Sequence, residues 1–243
     1  MNPPEAGDGV GLRERLEKVN ARIVETARSA GRAPEDISLI AVGKTHPSDV
    51  LVEAIDAGVL EVGENRVQEA EAKIEEIGRD RVRWHLIGHL QANKARRAIQ
   101  LFDVVHTLDS SSLAQRLDRL CQDEARDELP VLIQLDLANE TTKSGISEAE
   151  LPDLVATVMA CERLRLIGLM TVPPFFEAVE EVRPYFRRLR ILRDSLKDQG
   201  VFGADTGALS MGMSHDFEVA IEEGATMVRV GTAIFGSRSA PAG

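Results

Sequence analysis

Ile37-Ser38-Leu39-Ile40-Ala41-Val42-Gly43-Lys44 is a short, apolar, partly β-branched run that ends in a glycine and a lysine. It reads as a strand over 37–43. Upstream of it, Leu12, Leu16, Val19 and Ile23 recur at helical spacing. The alternation of apolar run and amphipathic stretch then repeats along the chain. Further strands are expected at 59–62, 83–87, 103–108, 130–136, 164–170, 204–209 and 227–230. Between them, Leu113, Leu117, Leu120 and Cys121 form one helical stripe, Val182, Phe186, Leu189, Leu192 and Leu196 a second, and Phe217, Ala220 and Ile221 a short third. Ser147 and Glu150 have the spacing of a capping box ahead of Leu151, Leu154, Val155 and Val158.

Strand–helix alternation implies parallel strands joined by helical crossovers. Eight strands within 243 residues match a single α/β barrel of the (β/α)8 TIM type. A doubly wound open sheet is the alternative. That fold normally carries a glycine-rich turn after its first strand, and Gly43-Lys44-Thr45-His46-Pro47 is not one. Residues 1–9 read as a loose N-terminal tail, 10–236 as one barrel and 237–243 as a loose C-terminal tail.

Composition narrows the function classes. Apolar residues at 43% and charged residues at 28% are a globular balance, which argues against disorder and coiled coil. A net charge of −11 argues against a general nucleic-acid binder. Cys121 and Cys161 stand far apart without a CxxC, which suits a reducing cytoplasm and no structural zinc. The N-terminus lacks the basic and apolar regions of a signal peptide, and no apolar run approaches a membrane span. The reading is a cytoplasmic monomer with no nucleic-acid or membrane partner.

In such a barrel the chemistry belongs at the C-terminal ends of the strands. Alternation places Ile40, Val42 and Lys44 on one face, so Lys44 projects into the mouth if that face lines the lumen. A lysine amine there has the chemistry to form a Schiff base with a carbonyl, although a lysine simply leaving the strand for water has the same sequence. After the seventh strand, Leu209 to Asp216 supplies small residues and hydroxyls, with Ser214 placed as an N-cap of the next helix. In the eighth strand Arg229 alternates with Val228 and Val230, which turns it inward if the valines pack outward. Gly231 and Thr232 follow. Loops after strands seven and eight commonly build the phosphate site of these barrels. A strand-end lysine, a phosphate cradle and an inward arginine together suit a cofactor carrying an aldehyde and a phosphate, such as pyridoxal 5′-phosphate (PLP). Asn65, after the second strand, is placed either to touch such a ring or to cap its own loop.

Seven segments carry a family resemblance: 41–47 (AVGKTHP), 63–69 (GENRVQE), 84–94 (WHLIGHLQANK), 143–146 (KSGI), 168–174 (GLMTVPP), 209–216 (LSMGMSHD) and 229–236 (RVGTAIFG). They span nearly the whole chain. The sequence resembles the pyridoxal-phosphate homeostasis protein family, which is similar to the barrel domain of alanine racemase without its second β-domain. The resemblance implies PLP held on Lys44 as an aldimine, its phosphate on Ser214, Gly231 and Thr232, and its ring nitrogen facing Arg229. Asn65 and Met211 complete the implied binding set, with no catalytic residue and no metal. Gly43 stands where the family commonly has Ser or Ala, and Arg66 where an aromatic is common. Both departures are expected to bear on how the ring is packed.

The implied role is vitamin B6 homeostasis with little or no turnover, with delivery to PLP-dependent apoenzymes left open. A PLP-dependent racemase is the enzyme alternative. It needs His46, His85 or Lys143 as acid/base, because the chain ends after strand eight and Tyr185 falls in a helix. A cofactor-free Schiff-base aldolase is a third reading, distinguished by being colourless. His85 and His89 are four apart but straddle a strand end and lack an HExxH glutamate, so no metal site is read there. Arg187, Arg188, Arg190 and Arg193 flank an apolar stripe and read as a solvated helix face.

Overall fold

A computed structural model of the chain describes residues 11–138 and 144–236. The two tails and Lys143 lie outside the described residues. The apolar run before Lys44 becomes β1 (Ser38–Val42). It is followed by β2 (Glu61–Glu64), β3 (Arg83–Leu86), β4 (Val104–Leu108), β5 (Leu129–Leu135), β6 (Leu164–Thr171), β7 (Ala208–Ser210) and β8 (Met227–Val230). The strands pair in chain order, all parallel, and β8 closes on β1 through Ile40 opposite Arg229. The helices are α1 (Leu12–Ser29), α2 (Ser48–Asp56), α3 (Val67–Ile77), α4 (Ala95–Leu101), α5 (Ser111–Asp123), α6 (Leu151–Met159), α7 (Arg183–Asp198), α8 (Phe217–Glu222) and α9 (Thr232–Phe235). The expected barrel is therefore the observed one.

Alternation sorts each strand between two cores. Outward residues such as Ala41, Val62, Trp84, Val105, Val228 and Val230 pack under the helices with Leu16, Val19, Leu117 and Phe186. Inward residues Ile40, Val104, Leu132, Met170 and Met227 form a separate apolar plug in the lumen. The capping box is present, with the Glu150 carboxylate accepting from the Ser147 N–H at 2.9 Å and its hydroxyl at 2.6 Å. On α7, Arg187 and Arg190 lie against Glu223 and Arg188 against Glu148, while Arg193 departs from the expected solvated face: its side chain is largely buried and donates to Gly207 O at 2.6 Å.

Two strands differ from their expected positions. The second was expected at 59–62 and forms at 61–64. Val59 instead closes the end of α2, its N–H donating to Ala54 O at 3.0 Å after Gly58 turns at φ +115°, and Leu60 is exposed. The true strand carries Glu61 and Glu64, so hydrophobicity underrates it. The seventh was expected at 204–209 and is only Ala208–Ser210. Gly207, at φ +81°, lies so close to the Phe202 ring that a Cβ would sit 2.5 Å from it, and this contact consumes the residues before the strand in a turn.

Candidate functional site

At the C-terminal mouth of the barrel a cavity of 340 Å³ is lined by Val42, Lys44, Asn65, Ile87, Val172, Met213, Ser214, His215, Arg229, Gly231 and Thr232. These residues come from the ends of β1, β2, β3, β6, β7 and β8, and meet only because the barrel closes. Val42 and Ile87 continue the inward faces of β1 and β3, so the wall below Lys44 is apolar. Lys44 itself is half-buried.

Arg229 sits on the floor, 3% exposed. One terminal nitrogen donates to Ser210 Oγ at 2.5 Å and the other to Thr171 O at 2.8 Å. Burial lowers its pKa to about 10, opposed by the Asp216 carboxylate, so it stays a cation at neutral pH. The inward turn expected from its alternation with Val228 and Val230 is what the structure has.

The loop after β7 is held by Asp216. Its carboxylate accepts from the Met213 N–H at 2.6 Å, while burial, the largest influence, raises its pKa. Gly212 permits the tight path, at φ +92°, where a Cβ would lie 2.6 Å from Ala220 Cβ. Ser214 does not cap α8, whose N-cap is Asp216. Its Oγ instead accepts from the N–H groups of Gly231 at 3.1 Å and Ala233 at 3.3 Å, which ties the β7 and β8 loops together. With its oxygen so engaged, the Ser214 hydroxyl hydrogen is available to an anion.

Behind Lys44, the carbonyl of Gly43 accepts from His46 N–H at 3.1 Å and from the buried Lys73 Nζ at 2.7 Å. Lys73 also pairs with Glu64 at 2.6 Å, and Glu64 is fully buried. Burial raises the Glu64 pKa and Lys73 opposes it. Thr45 takes φ +67°, a region a β-branched residue rarely adopts, so the turn after Lys44 is strained and held by these contacts.

Lys44, Asn65, Ser214, Arg229, Gly231 and Thr232 thus converge on one cavity. Met211 is not brought there. It is fully buried in the outer core and its N–H donates to Met227 O, while Met213 lines the cavity in its place. The two lie two residues apart, on either side of Gly212. Gly43 does not bear on the ring side either: an added Cβ would point outward, 2.8 Å from Glu64 Oε1 and 2.9 Å from Leu51 Cδ2. Arg66 is exposed, lies 3.3 Å from Glu69 and lines a neighbouring hollow with His89 and Lys94. His85 lies inside the lumen against His106, and His89 lies 3.0 Å from Asp109. The sequence reading missed His215, which lines the cavity and bonds Phe176 O at 3.1 Å, and missed Asp216 and Lys73. Their signal was weak, since Asp216 follows a matched serine run and Lys73 looks like any helical lysine.

A closed parallel barrel with its polar cluster at the strand ends defines the class: the alanine racemase N-terminal domain, whose family model matches residues 16–239. The chain is 45% identical, over 92% of its length and 95% of theirs, to the pyridoxal phosphate homeostasis protein of Escherichia coli K12. It is 41% identical to that of Aquifex aeolicus, over 93% and 97%. PipY of Synechococcus elongatus, at 37% identity, aligns with TM-scores of 0.81 without PLP and 0.77 with PLP bound, covering 93% of this chain and 100% of that one. Within its class the chain belongs to the pyridoxal phosphate homeostasis protein family.

Proposed function

We propose that this chain holds PLP at the barrel mouth with Lys44 as covalent anchor, and serves vitamin B6 homeostasis in the cytoplasm with little or no turnover. The observation that carries the reading is that one amine, one buried guanidinium and the Ser214 hydroxyl line a single cavity. Its 340 Å³ lies within the roughly 300–1,000 Å³ typical of small-ligand sites. The donor set fits the group. When bound, PLP supplies an aldehyde that bonds an amine and a phosphate that accepts hydrogen bonds. Ser214, Gly231 and Thr232 would hold the phosphate. Arg229 would donate to the ring nitrogen and, remaining protonated, leave that nitrogen without a proton. Asn65 would flank the ring. The PLP-bound structure of the relative PipY supports the reading.

The racemase alternative needs a proton donor and acceptor at the cavity. His85 is sealed in the lumen and the His46 ring lies 4.9 Å from that of Phe235, and neither lines it, while the third candidate, Lys143, lies outside the described residues. The test is spectroscopic. PLP added to the purified protein should give a visible absorbance band that borohydride traps on Lys44. Lys44→Ala should show neither. A full band in that variant, with the adduct mapped elsewhere, would overturn the assignment, and a protein that stays colourless would overturn PLP binding.

A further inference from the structure

Beneath the cavity an unbroken line of polar side chains crosses the apolar lumen. Arg229 donates to Ser210 Oγ at 2.5 Å, and Ser210 Oγ lies 2.9 Å from His106 Nδ1. His106 Nε2 lies 2.8 Å from His85 Nδ1. His85 Nε2 faces Glu61 Oε2 at 3.4 Å. Both of those last atoms are fully buried, and among the described residues neither makes a hydrogen bond, so each is the other's nearest polar contact. Glu61 Oε1 is occupied otherwise, by Ser38 Oγ at 3.3 Å and Arg83 at 4.0 Å. Ser210, His106 and His85 are each fully buried, with Ile40, Val104, Leu132 and Met170 packed in the same lumen. The cavity itself uses none of the four residues beyond Arg229.

The chemistry of the ends fixes the direction of the line. Arginine only donates. Ser210 Oγ therefore accepts from Arg229, and its single hydrogen has one further acceptor in reach, His106 Nδ1. His106 then carries its hydrogen on Nε2 and gives it to His85 Nδ1. His85 in turn carries its hydrogen on Nε2, aimed at the Glu61 carboxylate. The Arg229, Ser210 and His106 hydrogens each find an acceptor, and the His85 Nε2 hydrogen faces a carboxylate oxygen at 3.4 Å. The opposite direction would put hydrogens on both Nδ1 atoms and leave the buried Ser210 hydrogen without an acceptor. Leaving a buried donor unpaired is the costlier arrangement. Burial supports neutral rings, since it lowers the pKa of His85 to about 3 and that of His106 well below the ordinary value.

We infer that Ser210, His106 and His85 form one directed hydrogen-bond chain, facing the Glu61 carboxylate at its far end, that locks the Arg229 guanidinium in orientation at the cavity floor. A planar cation has several rotamers, and only a fixed one presents a donor to a ring nitrogen. Ser210, His106, His85 and Glu61 are then positioning residues acting through Arg229. Their role in cofactor recognition rests on the PLP function proposed above, whereas the direction of the chain does not.

Two measurements test this. Nitrogen NMR of the PLP-free protein, with labelled histidine, should show His85 and His106 neutral at pH 7 with the hydrogen on Nε2 in both. Glu61→Gln keeps an acceptor and should preserve that pattern. Glu61→Leu should send part of the His85 population to the Nδ1–H form. Hydrogens on Nδ1 in the unmutated protein, or a Glu61→Leu spectrum identical to it, would overturn the chain. Separately, Ser210→Ala should weaken PLP binding about tenfold, the effect of roughly one hydrogen bond on a charged partner, and shift the visible band. Unchanged affinity and band in a folded Ser210→Ala would overturn the positioning role. Reversed tautomers with normal PLP binding refute the relay alone, while absent PLP binding in the unmutated chain refutes the proposed function and the positioning role with it.

Discussion

Lys73 Nζ donates to the carbonyl oxygen of Gly43 at 2.7 Å, so a buried ammonium on α3 grips the residue that precedes Lys44. The same ammonium neutralises Glu64, which no water reaches. Anchoring the strand end in this way offsets the strain at Thr45 and fixes where the Lys44 side chain starts. Removing one partner of a buried pair leaves the other charge uncompensated. Lys73→Met is therefore expected to cost about 3–5 kcal/mol. Adding Glu64→Leu should recover much of that, because two apolar groups of similar volume tolerate burial. Urea unfolding of the single and double variants checks it, and a double variant no more stable than the single one would count against the pair. Gly43→Ala should cost about 1–3 kcal/mol by crowding Glu64 and Leu51.

The barrel was legible because its shell obeys simple periods. Leu16, Val19 and Ile23 bury one helix face, and Val228 and Val230 bury one strand face, so Arg229 could be turned inward on paper. Legibility failed where polar residues do core work. Glu61 and Glu64 hid β2, because a strand whose side chains form internal ion and hydrogen-bond partners has no apolar signature. Lys73, His106 and Ser210 come from different elements: Lys73 and Ser210 reach Gly43 and Arg229 across neighbouring strands, and only closure of the sheet brings His106 of β4 to Ser210 of β7. Met211 and Met213 show the limit of a motif match: both lie in one quoted run, and loop geometry alone decides which faces the cavity.

The phosphate is expected to carry much of the affinity. Charge-assisted hydrogen bonds contribute about 1.5–3 kcal/mol each, so losing the Ser214 hydroxyl should weaken PLP binding by about tenfold or more. Ser214→Ala also leaves the Gly231 and Ala233 N–H groups without their shared acceptor. Pyridoxal, which lacks the phosphate, should bind far more weakly than PLP to the unmutated protein and lose little further in the variant. Equal affinity for the two compounds, measured by titration of the visible band, would remove the cradle.

Acid should destabilise the fold well above the carboxylate range. His85 is held at a pKa of about 3, against an ordinary value of 6.5, chiefly because burial disfavours its cation. Below pH 6.5 the unfolded chain takes up a proton that the folded chain refuses, so stability falls with pH until about 3. At pH 5 the loss for one such histidine is about 2 kcal/mol, and His106 acts in the same direction. Glu61 and Glu64, raised by burial, oppose part of it. The urea midpoint should drop between pH 7 and pH 5. A flat profile would mean that the lumen accepts protons without unfolding.

The chain is expected not to racemise amino acids at an enzyme-like rate. Inversion at Cα requires a proton removed from one face and delivered to the other, hence two groups able to exchange protons on opposite sides of the ring. Lys44, His215 and Arg229 are the basic side chains that line the cavity among the described residues. Arg229 is held as a donor by Ser210 and Thr171 and stays protonated, so it neither exchanges protons readily nor protonates the ring nitrogen. On the proposed binding mode, a ring facing Arg229 would be a weaker electron sink than one with an acidic partner. His215 is bonded to Phe176 O at 3.1 Å and its ring lies 5.1 Å from that of Phe175. Tyr185 stacks on Phe176 at 5.7 Å and does not line the cavity. With saturating PLP, exchange of the Cα hydrogen and change of chirality should both stay far below about 1 s⁻¹ for alanine and a panel of other amino acids. Turnover at or above that rate would defeat the carrier reading. If His215→Gln then abolished it, His215 would be the missing acid/base, and the site would have to be counted an enzyme's.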